Sequence, residues 1–402
     1  MLLHQITLKN LLSFGPDSKP LELRPLNVLI GPNGSGKSNL IDAISLLRSA
    51  QSDISVPIRD GGGGREWYSK NADNSPAWLS VLAETTWFEV SKTSDHKVKI
   101  TDQKHGMLRH KLCFELHSAR LELSEELIQI AGSEPESVVA HIENHPLNGM
   151  TNRESGPNIR NIPVRQLQAG QSLVSQMRDP MLHSEITALG WTYTRFRIYR
   201  DWSFGRSAPL RQLQSASGSN LWLEEDCSNL ALVLQRLGND AAVRARLIEN
   251  LQKFCESFSD FIVQPLSDFL QVLLIDGDFQ TPAIRLSDGT LRYLCLLAIL
   301  CDPKPPPLIC IEEPELGLHP DLIPTIADLL KEASERTQLI VTTHSDTLVD
   351  CFNSSPEDIV VCEKIDGQTQ MERLDKERLS VWLEEFSLGT LWSQGQIGGN
   401  RW

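Results

Sequence analysis

The run from Asn27 to Asn39, NVLIGPNGSGKSN, constrains the fold more than any other part of the chain. Val28, Leu29 and Ile30 form an apolar strand pattern ending in Gly31-Pro32-Asn33-Gly34-Ser35-Gly36-Lys37-Ser38; beyond it Leu40, Ile41, Ile44 and Leu47 recur at helical spacing. A GxxxxGKS run between a strand and a helix is the pattern of a phosphate-binding loop. Glycine lets the backbone wrap closely enough for successive N–H groups to face phosphate oxygens, and the helix turns its positive end to the same anion. The nucleotide-binding set on this pattern is Asn33, Gly34, Ser35, Gly36, Lys37, Ser38 and Asn39. Lys37 is expected to reach the β- and γ-phosphates of a nucleotide, and the Ser38 hydroxyl to bind Mg²⁺.

A second group of motifs lies far downstream. In Leu286-Ser287-Asp288-Gly289-Thr290-Leu291-Arg292, Ser and Asp precede an apolar run, which predicts a helix start with a hydroxyl and backbone N–H groups open to an anion. Pro307 to Ile311 is a continuous apolar run of the buried parallel-strand kind, and it delivers Glu312 and Glu313 at its carboxyl end, where ligands bind in such sheets. Glu312 is placed to orient a Mg²⁺-bound water, and Glu313 to position or deprotonate the attacking water. After a predicted helix from Leu322 to Ala333, another buried strand, Leu339 to Val341, ends in Thr342-Thr343-His344-Ser345. His344 emerges at the same sheet edge, within reach of a γ-phosphate.

The remaining features set limits. A formal charge of −14 over 402 residues excludes polyanion binding by bulk electrostatics, though not by a local basic face. Eight cysteines without a CxxC pair fit reduced thiols in a cytoplasmic protein. The start, MLLHQITLKN, lacks the features of a signal peptide, and the longest apolar run, Tyr293 to Cys301, is about half of what a membrane span needs.

Between the motifs, Ile6 with Leu8 and Leu21 with Leu23 suggest two short strands, and period-two alternation from Trp78 to Leu123 predicts an antiparallel lobe. The Asp60-Gly61-Gly62-Gly63-Gly64-Arg65 run reads as a flexible surface loop, with a flap over nucleotide as the alternative. A long loop is expected over Gly132 to Pro163. Within it, His141-Ile142-Glu143-Asn144-His145 is not HExxH and reads as a solvated loop or helix end in preference to a metal site. Arg165 to Met177 reads as a helix and Thr192 to Ile198 as a strand. The stretch Trp191 to Arg206 interleaves six aromatics with four arginines; a core strand is favoured over a nucleic-acid grip. Helices are expected over Asn229 to Leu237 and Ala241 to Phe258, then a hairpin joining Val272–Ile275 to Ala283–Arg285. Another hairpin turns at Asp366-Gly367, before a helix from Lys376 to Phe386.

Taken together, GPNGSGKSN, LSDGTLR, ICIEEPELGLHP, TTHSD and the closing IGGNRW resemble the SMC, RecF and OLD-like branch of ABC-type ATPases, in the group known as predicted AAA-family ATPases. The resemblance implies an α/β ATPase head: a parallel core sheet with flanking helices, an antiparallel β lobe and an inserted helical region. It implies one head over 1–402, with the P-loop segment at 1–60, the inserted lobe and loop or helical region at 61–190, and the signature, Walker B and H-loop segment at 191–402. In that superfamily two heads sandwich ATP, so Ser287 and Gly289 are expected to contact the γ-phosphate held by a partner's Lys37. The expected partner is therefore a second copy, as a dimer or a higher even-numbered oligomer.

The chain departs from each close pattern in a telling way. Heptads of an SMC coiled coil are not visible, LSDGT and the Glu312-Glu313 pair differ from the transporter LSGGQ and DE, and only about sixty residues follow His344, too few for a Toprim nuclease. The resulting expectation is an ATP-hydrolysing switch subunit that controls a separately encoded Toprim-like nuclease or toxin in bacterial defence against phage or plasmid. A RecF-like ATPase of DNA repair, binding DNA directly, is the alternative.

Overall fold

The computed structural model describes residues 2–73, 75–92, 98–132, 137–145, 149–152, 168 and 170–399. Its centre is a six-stranded sheet in the order Gln368–Arg373, Ile359–Ile365, Leu26–Ile30, Gln338–Thr342, Leu308–Glu312, Arg197–Tyr199. Pairing is parallel throughout except at Gln368–Arg373, which returns antiparallel from the turn at Asp366-Gly367. Side chains alternate across a strand, so a strand covered on both faces must be apolar at every position. The inner stretches 28–30, 339–341, 308–311 and 359–362 obey that rule, and Asn27, Gln338 and Thr342 are buried polar residues beside them. Val28, Ile309, Ile311, Leu339, Val341 and Ile359 enter one core, and Leu29, Leu308, Cys310, Ile340 and Val360 enter the other.

The first core is closed by the helices Leu230–Gly238, Ala241–Phe254, Asp288–Leu300 and Ile323–Ser334. The second is closed by the helix Lys37–Ser49, the helix Ser184–Thr194 and an antiparallel sheet of seven strands. That sheet runs in the order Leu21–Glu22, Leu3–Lys9, Ala77–Lys92, Val98–His117, Arg120–Ile130, Ser137–His145, Gly149–Asn152. A small antiparallel sheet of Gln214–Ser215, Phe258–Leu266, Phe269–Asp276 and Phe279–Pro282 precedes the helix at Asp288. The architecture is the expected α/β one, a parallel core sheet with flanking helices and an antiparallel β lobe.

Several local expectations are corrected. Thr192 to Ile198 is not a strand: buried Ile186, Leu189 and Tyr193 set a helical period that begins upstream and carries the helix to Thr194, leaving only Arg197–Tyr199 for the sheet. The expected loop after Gly132 holds two strands, Ser137–His145 and Gly149–Asn152, because Ala140 and Ile142 alternate inward; residues 153–163 lie outside the described set. His141 stands on the first of these strands, 2.9 Å from Glu125, and is neither in a loop nor at a helix end. Arg165 to Met177 lies partly outside the described residues, and its described part is helical only over Leu173–Gln176.

The helix from Ala241 ends at Phe254, where the alternation of Phe258–Leu266 takes over. Ala283–Arg285 is a 3₁₀ turn, and the return strand of that hairpin is Phe279–Pro282. Lys376 to Phe386 breaks into Lys376–Leu379 and a 3₁₀ turn, Trp382–Glu384. The glycine run is anchored at one end: Gly64 is buried against the turn before Arg120–Ile130, where a Cβ would stand 2.3 Å from the Leu121 nitrogen.

Candidate nucleotide-binding site

The strand Leu26–Ile30 is buried at all five positions and discharges the chain into a loop with positive φ at Gly31, Gly34 and Gly36. Two of these glycines are required by close approach as well as by φ. A Cβ on Gly31 would lie 2.1 Å from the Cys362 carbonyl oxygen, and one on Gly36 2.1 Å from Thr369 Oγ1. The helix Lys37–Ser49 then begins with no side chain capping its first turn. Uncapped N–H groups at a helix start are an anion site in waiting. Inside the loop the Ser35 hydroxyl is buried without a hydrogen-bond partner. Lys37 Nζ folds back onto the carbonyls of Gly31 and Pro32, at 2.7 and 3.0 Å.

The tip residues Asn33 and Gly34 face solvent. Asn39 turns instead to a brace behind the loop: its amide donates to Ser13 Oγ at 2.5 Å, Ser13 Oγ lies 2.5 Å from Thr369 Oγ1, and Thr369 Oγ1 donates to the Ser35 carbonyl at 2.9 Å.

Parallel register brings the acidic motif to the same sheet edge, since Glu312 pairs with Thr342 and Thr342 with Leu29. The Glu312 carboxylate stands beside the Ser38 hydroxyl and lies 3.6 Å from the Arg200 guanidinium, which also binds Asp42 at 2.6 Å. Burial pushes the Glu312 carboxyl above its ordinary range, with Arg200 and the Ser38 hydroxyl opposing the shift. One of its oxygens, Oε1, is buried without a hydrogen-bond partner.

Glu313 has a left-handed backbone, φ 47°, with its N–H donating to the Thr342 carbonyl at 3.0 Å. Its side chain is 38% exposed, and Oε1 lies 3.8 Å from His344 Nε2. Behind the pair, Glu315 accepts hydrogen bonds from the Thr343 hydroxyl and the His344 N–H at 2.5 and 3.2 Å, and burial raises its carboxyl pKa too.

These groups fit a magnesium nucleotide. An uncapped helix start, a cradle that Cβ atoms would fill and an orphaned hydroxyl suit phosphate, while an orphaned carboxylate oxygen beside a serine hydroxyl suits a hard cation. Among the described residues no cluster of three or more His, Cys, Asp or Glu could hold a metal. Sparse protein ligation is the usual arrangement for Mg²⁺ shared with phosphates.

The signature residues stand apart. Ser287 caps the helix Asp288–Leu300, its Oγ accepting from the Thr290 N–H at 3.1 Å. Ser287 and Gly289 line a cleft of about 460 Å³ with Lys253, Gly317 and His319, and none of residues 31–39 lines it. So the structure brings the loop, Ser38, Glu312, Glu313 and His344 together, while Ser287 and Gly289 line a cleft that none of residues 31–39 enters. Two other clefts, of about 500 Å³ beside Gln368–Arg373 and about 880 Å³ beside Trp191, are lined by none of residues 31–39, although the first includes Thr369 and Leu40 behind the loop. Cleft volume is a poor guide here, because the loop is a shallow surface lined by backbone N–H groups.

Reading the sequence missed Arg200, Trp202, Arg292 and Glu315. The signal for two of them was the aromatic–arginine stretch. Tyr193, Phe196, Tyr199 and Phe204 are buried as a core reading requires, and Arg195 and Arg197 lie over the Trp222 ring at 5.6 and 5.2 Å. Arg200 and Trp202, however, enter the carboxylate site, and Trp202 Nε1 donates to the Glu312 carbonyl at 3.2 Å.

Residues 26–78 and 213–350 match the family model described as "AAA domain, putative AbiEii toxin, Type IV TA system". No curated protein matches the sequence at a significant level. Among solved structures, the chain is similar to an SMC head bound to the C-terminal winged-helix domain of ScpA, with TM-score 0.54, 16% identity, and coverage of 94% of this chain and 99% of that one. It is also similar to a Pyrococcus furiosus SMC head with an extended coiled coil bound to the C-terminal domain of ScpA, with TM-score 0.53, 15% identity, and coverage of 96% and 99%. At that identity the likeness is one of fold; together with the family match, it supports an SMC-like P-loop ATPase of ABC/AAA type.

Proposed function

We propose that the chain binds ATP with Mg²⁺ and hydrolyses it at a site completed by a second copy, as the switch subunit for a separately encoded effector. One observation carries the reading: Lys37, Ser38, Glu312, Glu313 and His344 converge at one sheet edge, while Ser287 and Gly289 line a separate cleft. A signature motif that shares no cleft with its own loop is explained if it serves a partner's.

In this reading Lys37 leaves the carbonyls of Gly31 and Pro32 for the β- and γ-phosphates, and the loop N–H groups hold the same oxygens. Ser38 and Glu312 would hold Mg²⁺, which would supply neutralising charge to the phosphate oxygens. Glu313 takes a proton from water as the water oxygen bonds to the γ-phosphorus; the bond to the bridging oxygen breaks, and ADP and phosphate leave. His344, held through its backbone by Glu315, orients Glu313 and donates to the γ-phosphate.

Two lines support a partnered role. The matched family's description names a toxin of a type IV toxin–antitoxin system, and both SMC heads of this fold are bound to a domain of another protein. A cytoplasmic site of action fits the described residues, none of whose helices is long and apolar enough to cross a membrane. The RecF-like alternative drew on Trp191 to Arg206, where Arg200 and Trp202 instead serve the carboxylates.

Phosphate release by the purified chain tests the assignment. The wild type should turn over ATP in the presence of Mg²⁺, and Glu313→Gln should lower turnover by about 100-fold or more with nucleotide binding retained. Equal turnover by both proteins would remove Glu313 from its role. Capture of the neighbouring gene product by the ATP-bound Glu313→Gln protein tests the effector, and salt-dependent DNA affinity tests the alternative.

A further inference from the structure

Glu313 is a non-glycine residue in the left-handed region, a conformation that persists only where surrounding groups determine it. Its N–H is held by the Thr342 carbonyl at 3.0 Å. Its carbonyl is held from the other side by Arg292, whose Nη2 donates to it at 2.5 Å. Arg292 belongs to the helix Asp288–Leu300 and is buried, with its guanidinium 4.9 Å from the centre of the Trp202 ring. Trp202 is itself wedged between Tyr199 and Phe204, at ring separations of 5.9 and 5.8 Å, and donates to the Glu312 carbonyl at 3.2 Å. The carbonyls of both acidic residues are therefore gripped by one stacked arginine–tryptophan pair.

We infer that Arg292 is a positioning residue for Glu313: stacked on Trp202, it holds the Glu313 carbonyl and with it the turned backbone that aims the carboxylate. The chemistry is well matched. A guanidinium is planar, so it can lie on an indole face and still present an N–H in its own plane to a carbonyl oxygen. Lysine can supply the donor but not the flat face. A wrong aim of the carboxylate costs turnover without disturbing the phosphate loop, because the loop is built from other strands. The inference rests on the proposed role of Glu313.

The test compares Arg292→Ala, Arg292→Lys, Trp202→Phe and Glu313→Gln in the full chain, measuring kcat, affinity for a fluorescent ATP analogue with Mg²⁺, and tryptophan emission. Arg292→Ala is expected to lower kcat roughly 10- to 100-fold with nucleotide affinity changed less than about twofold. Arg292→Lys should recover part of the loss, and Trp202→Phe should show a smaller loss. The Trp202 contribution to emission, taken as the difference between wild type and Trp202→Phe, should change in Arg292→Ala. In the Glu313→Gln background Arg292→Ala should lower the residual rate no further.

Folded Arg292→Ala with wild-type kcat, or an equal further loss in the Glu313→Gln background, would overturn the inference. If Arg292→Ala does not fold, Arg292→Lys and Trp202→Phe decide: wild-type kcat in both overturns it. A Glu313→Gln protein as fast as wild type would instead overturn the reading of Glu313 itself.

Discussion

The Ser38 hydroxyl stands beside the Glu312 carboxylate and favours its charged form, which links the first turn of the helix Lys37–Ser49 to the end of the strand Leu308–Glu312. The strand Gln338–Thr342 lies between the two motifs in the sheet, so the contact is a product of topology and not of neighbouring sequence. It also makes a divided prediction. Ser38→Ala should weaken ATP binding about tenfold with Mg²⁺ and leave binding in EDTA unchanged, as titration of a fluorescent analogue would show. Equal loss in both conditions would mean that Ser38 shapes the loop instead.

Burial raises the Glu312 carboxyl above its ordinary value of 4.5, so the folded chain favours the protonated form. Its contribution to stability is fully present below the unfolded pKa and is lost as pH rises through the elevated folded pKa. Glu312→Gln removes that loss. Without Mg²⁺ at pH 8 the variant should melt higher than wild type by roughly 1–3 °C, and the gap should shrink toward pH 4.5. Calorimetry across that pH range checks both sign and window.

The three loop glycines should differ under substitution by alanine. Gly34 has φ 78° but nothing within 4 Å of an added Cβ, so only backbone strain of about 1 kcal/mol applies. Gly31→Ala meets a backbone oxygen at 2.1 Å and Gly36→Ala meets Thr369 Oγ1 at 2.1 Å, each on top of a positive φ. Urea unfolding should show losses of about 2–4 kcal/mol for these two, larger than for Gly34→Ala. Thr369→Ala should rescue part of the Gly36→Ala loss and none of the Gly31→Ala loss.

Far from the carboxylates, Glu126 is buried and accepts from Ser172 Oγ at 2.7 Å and from the Leu173 N–H at 2.6 Å, with His110 Nε2 at 2.9 Å. The buried His110 in turn meets the Tyr193 hydroxyl at 3.0 Å. Removing the acceptor leaves several buried donors unmet, so Glu126→Ala should cost about 3–5 kcal/mol in unfolding free energy. ATP affinity at permissive temperature should be unchanged, since this network pins the residues after 168 to the β lobe and touches no loop residue.

What could be read from the sequence was what is contiguous. The phosphate loop and the Glu312-Glu313 pair each lie within one strand and the turn that follows, so residue type and spacing carry both structure and chemistry. Thr369 could not be found that way: it braces the Ser35 carbonyl from 334 positions downstream. Arg200 reaches Asp42 across 158 positions, and Arg292 serves Glu313 through its side chain from a separate helix. The misread strand at Thr192 to Ile198 has a different cause. Aromatic and β-branched residues favour strands, but burial of Ile186, Leu189 and Tyr193 on one face outweighs propensity and continues the helix. The long loop after Gly132 was misjudged because polar strands at a sheet edge lack the apolar run that marks a central strand.

The central claim is that the loop of one copy meets the signature helix of another. Light scattering on Glu313→Gln, with and without Mg-ATP, tests it most directly. One chain mass is expected without nucleotide and twice that mass, or an even multiple, with Mg-ATP, reverting in Ser287→Arg. A wild-type protein that hydrolyses ATP with concentration-independent specific activity, and a Glu313→Gln protein that stays at one chain mass with nucleotide bound, would contradict it.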